Sequence, residues 1–149
     1  MNKQFELDYA LEKQIYDSYH KAEDADDEEG MTKFRSMYRD EFAPYMKEKE
    51  EDYLLLYRMY KDAMERENQY IDFDEPYQYR DADHLFETLK KYEVERFTFS
   101  SGWSSAIETA WELVQKGCTL EGMIQINSRH TKIFSDERER IPAFVFKVN

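Results

Sequence analysis

Cys118 is the one cysteine in this 149-residue chain. No internal disulfide can form, and a reducing, cytoplasmic setting is expected. No stretch approaches 18 apolar residues, so no membrane-spanning helix is expected. The opening MNKQFELDYALEK lacks the apolar run of a signal peptide. His20, His84 and His130 share no metal-ligand spacing, and no Cys/His cluster exists. Neither a metal nor a cofactor is expected. Positive charge is scarce, with 21 Lys+Arg against 33 Asp+Glu and a net charge of −12. Such acidity repels nucleic acid and anionic membrane surfaces, and it favours basic protein partners, including proteins that themselves bind nucleic acid. Arg129, Lys132, Arg138 and Arg140 gather near the C-terminus but are offset by Asp136, Glu137 and Glu139, so they leave no nucleic-acid footprint.

What the chain does have is aromatic bulk: 12 Tyr, 10 Phe and 2 Trp, enough to fill a core. The acidity is uneven. Residues 1–93 hold 26 Asp+Glu against 14 Lys+Arg, while residues 94–149 hold 7 of each. Leu7, Leu11, Ile15 and Tyr19 recur at four-residue steps and predict a helix over 5–22. EDADDEEG (23–30) breaks it as an acidic turn ending in Gly30, its carboxylates well placed at the start of a following helix. A second helical region is predicted over 31–70. Met31, Phe34, Tyr38, Phe42 and Tyr45 mark one side of it, and Met46, Tyr53 and Tyr60 recur every seven residues beyond. Pro44 should kink or split this region. Residues 70–83, with Pro76, read as a connection, and Asp81 or Asp83 caps a helix over 83–91 with Leu85, Phe86 and Leu89 buried.

The remainder alternates between strand and helix. RFTFS (96–100) is a strand, and 103–116 a helix with Trp103, Ala106, Ile107, Ala110, Leu113 and Val114 inward, ended by Gly117. TLEGMIQINS (119–128) and PAFVFKV (142–148) are further strands. The expected fold is α+β: an N-terminal antiparallel helical hairpin followed by an α-β-α-β-β unit with a small three-stranded mixed sheet. The expected divisions are 1–76 and 77–149, as two regions or as one compact unit.

FTFSSGWSSAIETAW (97–111) has the order of parts of a hydrolase nucleophile elbow, with Gly102, Ser104 and Ala106 at nearly the required spacing. A nucleophilic serine needs a base held by a carboxylate, and no histidine lies in a suitable strand-end context. Helix capping explains the stretch better. Ser100 or Ser101 serves as the cap, Ser105 and Glu108 as a capping box, and anion binding at the helix start is the remaining option. Asp24, Asp26 and Glu28 imitate the first ligands of a calcium loop, but Glu29 stands where Gly is needed and Arg35 where Glu is needed. A solvated acidic turn, or a carboxylate surface for a basic partner, fits those residues. The tyrosines suit protein interfaces, since Tyr buries a ring and keeps a hydroxyl for a polar partner.

The segments FTFSSGWSSAIETAWELVQKGCTLEGMIQIN and IPAFVFKVN, with NQYIDF at 68–73, resemble a family of small acidic proteins of gut Firmicutes and their mobile elements. The likeness covers roughly residues 68–149. It implies a small protein of a phage, plasmid or conjugative element, or of a host accessory gene. It brings no activity and no catalytic residue.

These features together predict a non-enzymatic inhibitor of a nucleic-acid-binding defence protein, of the anti-CRISPR or antirestriction kind, whose carboxylates occupy a basic groove. Asp24, Asp26, Asp27, Glu28 and Glu29 are the first contact candidates. Glu48, Glu50, Glu51 and Asp52 come second, with Tyr53 and Tyr57 beside them. The alternative is a structural or regulatory module that homodimerises or docks on a partner through its Tyr-rich helices.

Overall fold

The computed structural model describes residues 2–74, 82–100, 102 and 104–149. The elements run α1 (Lys3–Asp24), α2 (Glu28–Met37), a π-helical turn (Tyr38–Phe42), α3 (Ala43–Lys47), α4 (Glu51–Glu65), β1 (Ile71–Phe73), α5 (Ala82–Lys91), β2 (Arg96–Phe99), α6 (Ala106–Gln115), β3 (Thr119–Thr131) and β4 (Arg138–Lys147). The fold is α+β, with an N-terminal helical region. Contacts divide the described chain inside α4, into Asn2–Leu55 and Leu56–Asn149.

In the N-terminal unit α1 and α2 form an antiparallel hairpin. Arg35 reaches back to the Tyr19 hydroxyl at 3.1 Å, and Tyr45 reaches Asp8 at 2.8 Å. Asn2 caps α1 by accepting from the Gln4 and Phe5 amides. The buried face of α1 is Phe5, Asp8, Glu12, Ile15 and Ala22, not the Leu7–Leu11–Ile15–Tyr19 stripe. Leu7 and Leu11 are 59% and 41% exposed. A helix turns by 100° per residue, so repeated four-residue steps drift around it, whereas alternating steps of three and four stay on one face. Two carboxylates therefore sit on the inner face. Asp8 is held by the hydroxyls of Tyr45 and Tyr53 and by the Gln4 amide at 3.0 Å.

The α-helix is interrupted directly before Pro44, which stands in the first turn of α3. The π-helical turn before it lets the Ala43 amide donate to the Tyr38 carbonyl, five residues back, which takes up the disruption of a residue with no amide hydrogen. The extra residue rotates the register. Phe42 is 3% exposed, while Tyr38 and Tyr45 remain 46% and 38% exposed, so the expected single apolar side is not continuous. A full break in the helix follows between Lys47 and Glu51.

The C-terminal unit is built on a four-stranded sheet of order β1-β2-β4-β3, one strand more than the sequence suggested. The additional strand is Ile71–Phe73, which pairs parallel to β2 in the register Ile71↔Phe97 and Phe73↔Phe99. The other pairings, β2 with β4 and β4 with β3, are antiparallel. Phe97 lies 5.3 Å from Phe73 and 5.4 Å from Phe146, centroid to centroid. With Leu89 and Leu113, also fully buried, these rings make the core. Pro142 sits in β4 beyond the four residues that pair with β2, where its missing donor costs no bond to that strand.

Four of the described helices end in the same way. At the ends of α4, α5 and α6 the amides of Asn68, Val94 and Cys118 donate to carbonyls five residues back at 2.8, 2.9 and 3.0 Å. The residue before each takes positive φ: Glu67 at 58°, Glu93 at 57° and Gly117 at 112°. Gly117 thus occupies the position read from the sequence, and two glutamates do the same work against their own preference. Asp26, with φ 51°, closes α1 likewise, the Asp27 amide donating to the Ala22 carbonyl at 2.8 Å. Gly30 does not end that turn. It lies in the first turn of α2, where a Cβ would come within 2.4 Å of the Asp27 carboxylate that caps the helix.

α6 starts at Ala106, three residues later than expected. The Ser105 hydroxyl makes no capping bond, so there is no Ser105–Glu108 capping box, and Ser100 donates to Asp72 instead. Pro76, Asp81, Ser101 and Trp103, each with an expected role, lie outside the described residues.

Candidate functional site

The first acidic group surrounds the α1–α2 turn. Asp24 ends α1, Asp26 holds the left-handed position, Asp27 accepts from the Gly30 amide at 3.0 Å, and Glu28 and Glu29 form the first turn of α2. All five are exposed. None is in an ion pair with a described Lys or Arg. The α2 amino end stabilises Asp27, Glu28 and Glu29 through its unpaired amides and dipole.

The second group lies at the α3–α4 break. Glu48, Glu50 and Glu51 are exposed and Asp52 is half-buried. Tyr53 and Tyr57 do not belong to this surface. Each is 5% exposed, and the Tyr53 hydroxyl is spent on Asp8. The two groups are not one site. Tyr53 binds Asp8 near the start of α1, whereas Asp24 ends that helix. The intervening 16 residues rise about 24 Å at 1.5 Å each.

A different constellation, absent from the sequence reading, lies in the C-terminal unit. The capped end of α4 presents Asp62, Arg66 and Asn68, β1 supplies Asp72, β2 and its exit supply Thr98 and Ser100, and β3 supplies Asn127. Asp72 faces Thr98 in the parallel register. It accepts from the Thr98 hydroxyl at 2.7 Å and from the Ser100 hydroxyl at 2.6 Å. The Arg66 guanidinium is 2% exposed, donates to Asp62 at 2.6 Å and to the Asn127 carbonyl at 3.2 Å, and stands 3.9 Å from Asp72. The Asn68 side chain accepts from the Asn127 amide at 2.8 Å and donates to its carbonyl at 3.0 Å. At the rim, Arg129 approaches Asp62 at 3.5 Å and Asp74 at 3.2 Å.

Burial pushes the Asp72 carboxyl above its ordinary range, against the hydroxyl bonds from Ser100 and Thr98 and the positive charge of Arg66. The network lies at the carboxyl ends of the two parallel strands, where open α/β sheets place ligands. Two buried atoms of the network, Arg66 Nε and one Asp74 oxygen, have no hydrogen-bond partner among the described residues. Both Asp72 oxygens are engaged, and the Ser100 hydroxyl is committed to Asp72. Among the described residues no group of three or more His, Cys, Asp or Glu could hold a metal ion, and no helix is long and apolar enough to cross a membrane. The network ties α4, β1, β2 and β3 together. The sequence signal for it was slight: isolated polar residues in β-rich text.

Surface features also depart from expectation. Ile107 and Val114, predicted inward, are 82% and 40% exposed, and Leu113 is the buried residue of α6.

The chain is thus a two-unit α+β protein whose sheet unit carries a buried polar network. A model for a domain of unknown function (DUF7698) matches residues 55–148, and the chain belongs to that family. The matched segment coincides closely with the sheet unit and contains the whole network. No curated protein and no solved structure matches the chain.

Proposed function

We propose that this protein is a non-enzymatic interaction protein that presents the carboxylates of the α1–α2 turn to a basic groove on a partner. The partner is a nucleic-acid-binding defence protein, blocked in the anti-CRISPR or antirestriction manner, and the protein acts in the cytoplasm. One observation carries the reading: five exposed carboxylates within Asp24–Glu29, none paired with a described Lys or Arg. The likeness to small acidic proteins of Firmicutes mobile elements supports the kind of partner. The acidic turn lies outside the segment matched by the family model, so the proposed contact belongs to the N-terminal unit. The alternative through Tyr-rich helices retains Tyr16 and Tyr38 as exposed rings, at 62% and 46%.

The test neutralises charge without removing the helix cap. Asp24→Asn, Asp26→Asn, Glu28→Gln and Glu29→Gln together leave Asp27 in place, and Asn suits the left-handed position of Asp26. Association with a basic effector recovered by pull-down should slow by roughly tenfold at low ionic strength, and the difference should shrink at high salt. Unchanged low-salt affinity would remove the acidic turn from the contact.

A further inference from the structure

We propose that the protein self-associates through the bare surfaces of the sheet unit, the first half of β3 and the outer side of α6. Ile107, Trp111 and Val114 follow one another at steps of four and three along α6 and are 82%, 64% and 40% exposed. Leu113, which faces the core, lies about 100–160° around the helix from them. Such a stripe normally packs against something.

β3 continues the bare surface. It is the outer strand of the sheet, and every residue from Thr119 to Gln125 is exposed. Alternate residues of a strand point to opposite faces, so both faces are uncovered there. Leu120, Met123 and Ile124 are 47%, 60% and 38% exposed. Farther along, Asn68 and Arg66 bond to the Asn127 backbone and close the outer edge. The open stretch ends where the polar network begins. Gly122 sits within it at φ 146°, and nothing lies within 4 Å of where its Cβ would be. A strand glycine with open space beside it permits close approach of another backbone.

Charge points to a second copy as the occupant. A two-fold interface sets the same patch against itself, so unpaired charge in it meets like charge. Residues 2–55 hold 16 Asp+Glu against 8 Lys+Arg, a net of −8, whereas residues 56–149 hold 17 against 13, a net of −4. Within the bare stretch of β3 the only charge is Glu121, which Arg96 neutralises at 2.7 Å. Glu108 and Glu112 lie at least about 60° around α6 from every residue of the apolar stripe. A basic partner, drawn by the acidic surface, gains no attraction here, while a second copy meets an apolar surface with little charge. Antiparallel pairing of β3 with its own copy also removes an open sheet edge.

Sedimentation velocity on the full chain, across a concentration series at low and high salt, tests the proposal. A reversible dimer that persists at high salt is expected. Trp111→Lys with Met123→Lys should weaken it by more than about tenfold, as for an interface tryptophan. Both side chains are exposed, so the variant should keep the circular dichroism and melting temperature of the parent. A monomer at every concentration overturns the proposal and assigns the face to a different protein. A dimer that the double variant leaves intact, or that salt dissociates, overturns it as well.

Discussion

Arg66→Met removes the guanidinium from the buried network and keeps an apolar stem of similar length. In the parent the group is 2% exposed, bonded to Asp62 at 2.6 Å and to the Asn127 carbonyl at 3.2 Å, and 3.9 Å from Asp72. Removing one partner of a buried pair costs about 3–5 kcal/mol, because the other charge stays behind uncompensated. Two features place this case at the lower end. Asp62 is 29% exposed and keeps Arg129 at 3.5 Å, and Asp72 still accepts from Thr98 and Ser100. The expected loss at neutral pH is about 3 kcal/mol, or roughly 6–12 °C in melting temperature for a chain of this size. The sign with pH follows from Asp72. Its folded pKa lies above 3.8, mainly through burial, and Arg66 holds it down. A carboxyl raised in this way favours the fold when protonated, and that contribution is lost as pH rises through the folded value. Without Arg66 the folded value moves further up. The penalty of the substitution should therefore be smaller in acid and grow toward neutral pH. Urea unfolding of parent and variant, from below pH 3.8 to neutral, measures it. Adding Asp72→Asn should recover most of the neutral-pH loss. A loss below about 1 kcal/mol, or one that is the same at acid and neutral pH, refutes the reasoning.

Phe134→Gly should stabilise the protein by about 1 kcal/mol in thermal melts, because φ is 56° there and left-handed backbone costs a non-glycine residue about 1–2 kcal/mol. The Phe134 ring is fully exposed, so little packing is lost, and a fall in stability would show that the ring has a structural contact. Cys118 is buried, and its thiol is pushed up to about 11 by desolvation. Since the thiolate is the reactive form, the native protein should resist alkylation at neutral pH and react once unfolded. Rapid labelling of the folded chain would contradict that burial.

The parts of the fold legible in the sequence were those where one pattern ran long enough to repeat. α1, the β2–α6–β3 succession and the Gly117 cap belong to this class. β1 was not legible because three residues, Ile71–Phe73, are too few to show alternation, and all three are buried. The facing of α6 was misread because the rule that apolar residues turn inward fails where a helix is left bare. Ile107, Trp111 and Leu113 are equally apolar, and only the position of the neighbouring helix and sheet decides between them. The tyrosines misled for a related reason. Tyr45 and Tyr53 bring hydroxyls to a buried carboxylate at Asp8, a use that requires knowing that Asp8 faces inward. The exposure of the acidic turn was legible, since it follows from residue type alone, but its end was not, because Gly30 lies inside the first turn of α2. The polar network was not, since it assembles α4, β1, β2 and β3 from positions up to 65 residues apart, Asp62 to Asn127.

Solubility alone is a poor account of the Asp24–Glu29 turn. Five carboxylates within six residues repel one another, and the fold offsets that repulsion only for the three at the α2 amino end. Elsewhere in the N-terminal unit the chain places acids beside cations, as in Lys13–Asp17 at 3.0 Å and Arg39–Asp40 at 2.8 Å. The same net charge spread in that manner would keep the protein soluble without crowding. Concentrating it at one helix start creates a local field that screening confines to within about 10 Å. A field of that reach acts only on groups close to the turn, and its sign attracts cations.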